Sequence, residues 1–200
     1  MIIIKIAGGL GDQMSRYALG RYLSIKNQTE LFLDPSFYQS KHNYAECDTR
    51  FFGLDNYQIT AKIAATSQIK KLVTNRYLKR LGFIKPTHII GGVGDFNLED
   101  FQFNGDCYVE GHCGIDRRWS DIRPILLKDF SLKESLELDE ELAKWLSGSV
   151  VVALHCRRGD KANSPKVNQV HGTCSADYYQ RAIEYMKKYL GDFNLLVFSD

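Results

Sequence analysis

Two short apolar runs, each ending in a glycine-bearing loop and each followed by a helix-period stretch, constrain this chain more than any other feature. The first, Ile2–Ala7, runs into GGLGDQ (8–13); the second, Val150–Leu154, runs into HCRRGD (155–160). A continuous β-branched run of this length is the form of a strand covered on both faces. Strands alternating with helices predict an α/β fold with a mostly parallel sheet. In the first unit the strand Ile2–Ala7 meets a tight glycine turn. A helix then runs from about Gln13 to Lys26, with Met14, Tyr17, Ala18, Tyr22 and Ile25 on one face. Leu31–Leu33 is the next strand, closed by Asp34 and Pro35.

Residues 36–58 show no clear period and read as loops. Residues 60–82 read as a helix with six basic residues and no acidic one. HIIGGV (88–93) and CYVEG (107–111) read as strands. WSDIRPILLKDF (119–130) reads as a helix capped by Asp121, with Pro124 in its first turn. Glu134–Leu146 is a further helix, stopped near Gly148. The second unit comprises Val150–Leu154, a loop of about twenty residues, and a helix from about Asp177 to Leu190 that buries Tyr179, Ile183, Met186 and Leu190. Gly191 caps that helix, and LLVFS (195–199) is the closing strand. The unit boundary is placed so that the domains are 1–148 and 149–200.

Two hundred residues suffice for a real hydrophobic core. A net charge of +2 lacks the basic excess of a nucleic-acid binder. No stretch approaches the roughly 18 apolar residues of a membrane span, and MIII, interrupted by Lys5 and glycines, reads as a strand rather than a leader or anchor. The five cysteines are an odd set without a CxxC pair, which argues against a disulfide framework. A metal cluster of His112, Cys113, His171 and Cys174 lacks a common ligand spacing, so no metal site is expected. Reduced thiols in a reducing compartment are the simpler account.

In an open parallel sheet, ligands collect outside the carboxyl ends of strands, where both loops lie. Gly8, Gly9 and Gly11 permit positive φ and close backbone approach, and the helix start at Gln13 offers unpaired N–H groups. A nicotinamide dinucleotide fold with Asp34 on a ribose is the obvious alternative, but Met14 stands where GxGxxG needs its third glycine. Arg157 and Arg158 are more informative, because arginine is almost never buried without a partner. Beside Gly159, their planar forks are suited to neutralising a diphosphate without a metal. The competing reading pairs them at the surface with Asp160 and Asp177.

GGLGDQMSRYALGRYL (8–23) resembles the GGLGNQMFQYAxG signature of the α-1,2-fucosyltransferases, glycosyltransferase family 11, and LHCRRGDK (154–161) is similar to that family's HxRRGD motif. YVEGHCGIDRRWSDIRPILLKDFSL (108–132) and HGTCSADYYQRAIEYM…LLVFSD (171–200) continue the resemblance in order. Asp12 replaces the family's asparagine, Ser15 and Arg16 replace a Phe-Gln pair, and Cys156 replaces an aliphatic residue.

The resemblance implies a GT-B-like architecture of two Rossmann-like units. Residues 1–148 would be the acceptor side, and 149–200 the start of a GDP-fucose-binding unit that is incomplete. It implies inverting transfer of L-fucose from GDP-fucose, a substrate rather than a cofactor, to the 2-hydroxyl of a galactose-terminated oligosaccharide or lipid-linked glycan. The donor site is assigned to His155, Arg157, Arg158, Gly159, Ser199 and Asp200, and the cleft loop to Gly8, Gly9, Gly11 and Gln13. Catalytic roles fall to Arg158, Asp160 and Asp12. Asp160 would orient an arginine or the nucleotide; Asp12 is a helix cap or the base, with capping favoured by its position. For His155 a structural and a direct role stand equal. A non-catalytic nucleotide- or glycan-binding fragment is the rival reading. With its donor site expected to be partial, the chain alone is expected to bind GDP weakly, guanosine hardly at all, and to show little or no transfer. The expected location is cytoplasmic. The basic stretch 60–82 is read as a solvated surface helix, with peripheral contact to an anionic membrane as its competitor.

Overall fold

The computed structural model describes residues 1–39, 50–73, 88–91, 105–111, 117–135, 137–159, 165, 168–169 and 172–199. They divide into two compact units, one of residues 1–39 and 50–134, the other from 135 onward. In the first, strands β1 (Ile2–Lys5), β2 (Leu31–Asp34), β3 (Lys62–Ile63), β4 (His88–Gly91) and β5 (Cys107–Gly111) form a wholly parallel sheet in the order β3-β2-β1-β5-β4. Helix α1 (Leu10–Lys26) connects β1 to β2, and α2 (Thr66–Val73) follows β3.

The sheet is covered on both faces, which is why MIII is apolar without alternation. Ile2, Ile4 and Ile6 pack with α1 residues Tyr17, Leu19 and Leu23, and with Ile122 and Leu126. Ile3 points the other way, to Leu72 of α2 and Tyr108 of β5. Each of these isoleucines is fully buried, worth about 1.5–3 kcal/mol apiece.

Helix α1 starts three residues earlier than the spacing predicts. Gly9 is extended and serves as N-cap, while Asp12 stands at N3 and accepts the Gly9 N–H at 3.2 Å. Its buried face is also broader than the predicted stripe. Tyr17 and Ala18 are buried, Met14 and Tyr22 are half-buried, and Ile25 is exposed. Gln13, Gly20 and Ser24 take the remaining buried positions, because their polar atoms bond to backbone or, at Gly20, because a Cβ would sit 2.9 Å from Ile4 and Leu31.

The polar centre of this unit is Asp129, at the end of helix α3 (Arg123–Asp129). Its carboxylate accepts from Tyr17 Oη at 2.6 Å, Arg21 Nε at 2.9 Å and Thr60 Oγ1 at 3.2 Å. On the opposite face, buried Asp34 accepts from Tyr108 Oη at 2.7 Å and Ser36 N–H at 2.9 Å. Burial first, and a carboxylate partner second, raises both tyrosines above their ordinary value of 10. Both phenols therefore stay neutral in the fold, while the unfolded chain gives up those protons near pH 10. Stability from this source is complete below that pH and lost as pH rises through it. Urea midpoints should be flat between about pH 8 and 9 and fall above about pH 10, with the Tyr17→Phe, Tyr108→Phe double variant falling less.

Several expected elements are displaced for local reasons. Within 36–58 two short 3-10 turns form, Ser36–Gln39 and Leu54–Asn56. Residues 60–82 do not form one helix: Lys62–Ile63 extends the sheet beside β2, and α2 begins at Thr66, where Gln68 Oε1 accepts Ala65 N–H at 2.8 Å. Residues 74–82 lie outside the described residues. Asp121 does not cap α3. It lies in a 3-10 turn, Arg117–Ile122, and Ile122 is the N-cap, with Pro124 in the first turn as expected.

In the second unit, α4 (Glu140–Ser147) begins later than predicted, because Asp139 caps it by accepting Glu141 and Leu142 N–H, and it stops at Gly148. Strand β6 (Val151–Cys156) pairs in parallel with β7 (Asn194–Ser199), and α5 (Ala176–Leu190) joins them. Ser175 N-caps α5, and Gly191 ends it at φ 71°. The expectation that β6 is covered on both faces fails: Ala153 and His155 are exposed. Tyr179, Ile183 and Met186 are half-buried and Leu190 is exposed. Among the described residues β6 has one strand neighbour and one helix, too little surface to enclose either. A cavity of about 280 Å³ lies between α5 and the strands, lined by Leu154, His155, Tyr179, Ile183, Met186 and Leu195.

Candidate functional site

Each unit gathers its chemistry at the carboxyl end of its strands. In the first, β1 is flanked by β2 and β5, so strand order reverses at its β5 side. Such reversals open a crevice above the carboxyl ends. The glycine loop sits there, and its shape depends on one glycine more than the others. Gly8 has φ +89°, and a Cβ on it would meet Asp12 Oδ2 at 2.4 Å. Gly9 is extended, and Gly11 is helical with open space around it, so positive φ belongs to Gly8 alone among the three. Gly8→Ala is expected to cost about 1–3 kcal/mol by strain and collision with the cap. Gly105→Ala, at φ +112° in open space, separates the strain from the collision. Thermal unfolding of both variants checks this.

Side chains from a distant segment hold the loop. Gln13, buried within α1, donates to Phe51 O at 2.8 Å and accepts Gly53 N–H at 2.9 Å. Tyr38 Oη donates to Gly8 O at 3.0 Å. The Arg50 guanidinium lies over Gly9, its Nη1 3.2 Å from where a Cβ would stand. Arg16 donates from Nη1 to Gly111 O, at the end of β5, at 2.9 Å. Gln13 thus anchors the loop, and Asp12 stands in capping geometry toward Gly9 N–H. Asp34, the ribose residue of the dinucleotide alternative, is occupied by Tyr108 and Ser36.

In the second unit the register places Cys156 opposite Ser199 and His155 opposite Phe198. His155, Arg157, Arg158, Gly159 and Ser199 therefore share one end of the β6–β7 pair, although Ser199 is far away in sequence. Arg158 is exposed and Arg157 half-buried. Tyr179 on α5 joins them: hydrogen bonding with Cys156, then desolvation, then Cys174 push its hydroxyl up to about 12. Asp160 and Asp200 lie outside the described residues, as do His112, Cys113 and His171. Neither Arg50 nor Tyr38 is marked by the sequence, and Arg16 and Tyr179 are marked there only as a signature departure and a core position. Arg50 and Tyr38 lie in the aperiodic stretch, where no spacing marks a contact with residues 8–13.

The O-antigen biosynthesis glycosyltransferase WbnK of Escherichia coli is 31% identical over 219 aligned positions, which span 98% of this chain and 71% of that protein. The chain belongs to glycosyltransferase family 11, the α-1,2-fucosyltransferase family. An alpha-1,2-colitosyltransferase of Escherichia coli is 24% identical over 206 positions, spanning all of this chain and 69% of its own length. No family model and no solved structure matches the chain. As a family 11 member it is a glycosyltransferase. Its two units are α/β with parallel strands, compatible with Rossmann-like units. Among the described residues no helix is long and apolar enough to cross a membrane.

Proposed function

We propose that this family 11 glycosyltransferase moves L-fucose from GDP-fucose to the 2-hydroxyl of a galactoside, with inversion, in the assembly of an O-antigen-type glycan. The observation that carries the reading is the cationic end of the β6–β7 pair, where Arg157, Arg158 and Gly159 follow one strand and Ser199 ends the other. In transfer, the acceptor oxygen bonds to the sugar's anomeric carbon as that carbon's bond to the diphosphate breaks. The acceptor proton is released and GDP departs with the bond's electron pair. Charge builds on the leaving diphosphate, and fixed guanidinium groups oppose it there. Two arginines supply charge that magnesium supplies in other enzymes, so the reaction needs no divalent ion in this reading. The first unit serves as acceptor side and the second as donor side of a GT-B arrangement. Free thiols at Cys156 and Cys174 support a cytoplasmic setting.

The colitosyltransferase relative favours a colitosyl donor as the second reading. The test titrates GDP and guanosine into the purified chain by calorimetry, then incubates the chain with lactose and either donor in EDTA. GDP should bind and guanosine hardly at all, since recognition runs through the phosphates, and mass spectrometry of the product identifies the sugar moved. Equal binding of GDP and guanosine, or product only after a divalent ion is added, overturns the reading.

A further inference from the structure

We infer that Arg16 makes the carboxyl edge of the first unit a subsite for an anionic group, so that the acceptor carries a carboxylate or a phosphate near the reacting sugar. The inference rests on the reading of this unit as the acceptor side. Arg16 projects from α1 to the end of β5, beside β1, where the strand order reverses. It is half-buried, and its hydrogen bond among the described residues goes to a neutral carbonyl, Gly111 O. Its Nε is buried without an acceptor. Among the described residues no carboxylate pairs with it. Acids of this unit are engaged elsewhere: Asp12, one turn before Arg16 on α1, with Gly9 N–H, Glu110 with Lys5, Asp34 with Tyr108 and Asp129 with Arg21.

A guanidinium in such a place is half desolvated with a neutral carbonyl rather than a carboxylate against its charge, unlike Arg21, which reaches Asp129. A guanidinium stays charged at any physiological pH, and its fork fits a carboxylate or phosphate. Arg16 also stands where the family signature carries glutamine, so the charge is a departure of this chain. A neutral residue there is compatible with the fold, and the arginine is therefore assigned to recognition.

The test compares three acceptors: a neutral galactoside, the same galactoside bearing a hexuronic acid, and a galactosyl diphosphate alkyl ester. Calorimetry measures binding of each to the chain and to Arg16→Gln and Arg16→Lys; transfer kinetics follow with GDP-fucose. Wild type should bind at least one anionic acceptor roughly tenfold or more tighter than the neutral one, with the advantage shrinking as salt rises. Arg16→Gln should lose most of that ratio and Arg16→Lys only part of it. The hexuronate and diphosphate arms tell a carboxylate from a lipid-carrier phosphate. Equal affinity for all three acceptors, or a ratio unchanged in Arg16→Gln, overturns the inference. Binding selectivity without fucosyl transfer leaves this inference standing and separates it from the proposed reaction. If Arg16→Gln does not fold, the salt dependence of wild type and the Arg16→Lys ratio decide.

Discussion

Arg158→Lys is expected to lower the rate of transfer about a hundredfold or more, equivalent to about 3 kcal/mol of lost transition-state stabilisation. Lysine keeps the charge, but a compact ammonium replaces a planar fork whose geometry suits two oxygens of a diphosphate at once. Because Arg158 is exposed, at the end of a strand and outside any packed cluster, the fold has little to lose. Circular dichroism and the unfolding temperature should match wild type. The fall should appear mainly in kcat, since charge on the leaving group grows as the glycosidic bond breaks. Near-normal turnover in Arg158→Lys would remove this residue from the diphosphate.

Asp129→Ala should destabilise the first unit by about 3–5 kcal/mol. Three donors converge on that carboxylate, from α1, from Thr60 and from Arg21, and its side chain is only 4% exposed. Removing it leaves the Arg21 guanidinium and the Tyr17 hydroxyl without their acceptor in a place that water barely reaches. Asp129→Asn keeps one acceptor oxygen and should cost less. Urea unfolding of the two variants, read by tyrosine fluorescence and circular dichroism, orders them. A loss below about 1 kcal/mol for Asp129→Ala would mean the network is surface-like and contributes little.

Elements governed by local chemistry were legible in the chain itself. A glycine after Leu190 ends α5, a glycine after Ser147 ends α4, and the isoleucines of β1 have no polar alternation because both faces are covered. Helix starts were read less well. At α1, α3 and α4 the cap is decided by which backbone N–H groups lack partners, and periodicity does not carry that. The strand Lys62–Ile63 reads as helix because its stabilisation comes from β2, outside its own neighbourhood. The site divides along the same line. Arg157 and Arg158 announce themselves because they abut a strand, whereas Ser199 joins them only through register. Arg50, Tyr38 and Tyr179 depend on tertiary approach. Burial in the second unit was overestimated because an apolar run shows what a strand tolerates, not what covers it.

The central position of β1 has a consequence for how the chain comes into being. Its contact with β5 joins positions 105 residues apart, as in the Lys5–Glu110 pair, while β2 follows α1 directly. During synthesis at roughly 5–20 residues per second, one edge of β1 therefore waits on the order of 5–20 seconds for its partner. Over that interval the nascent chain holds β1, α1 and β2 with an open edge lined by isoleucine. Closure over so long a loop makes the β1–β5 pairing a slow step in refolding as well.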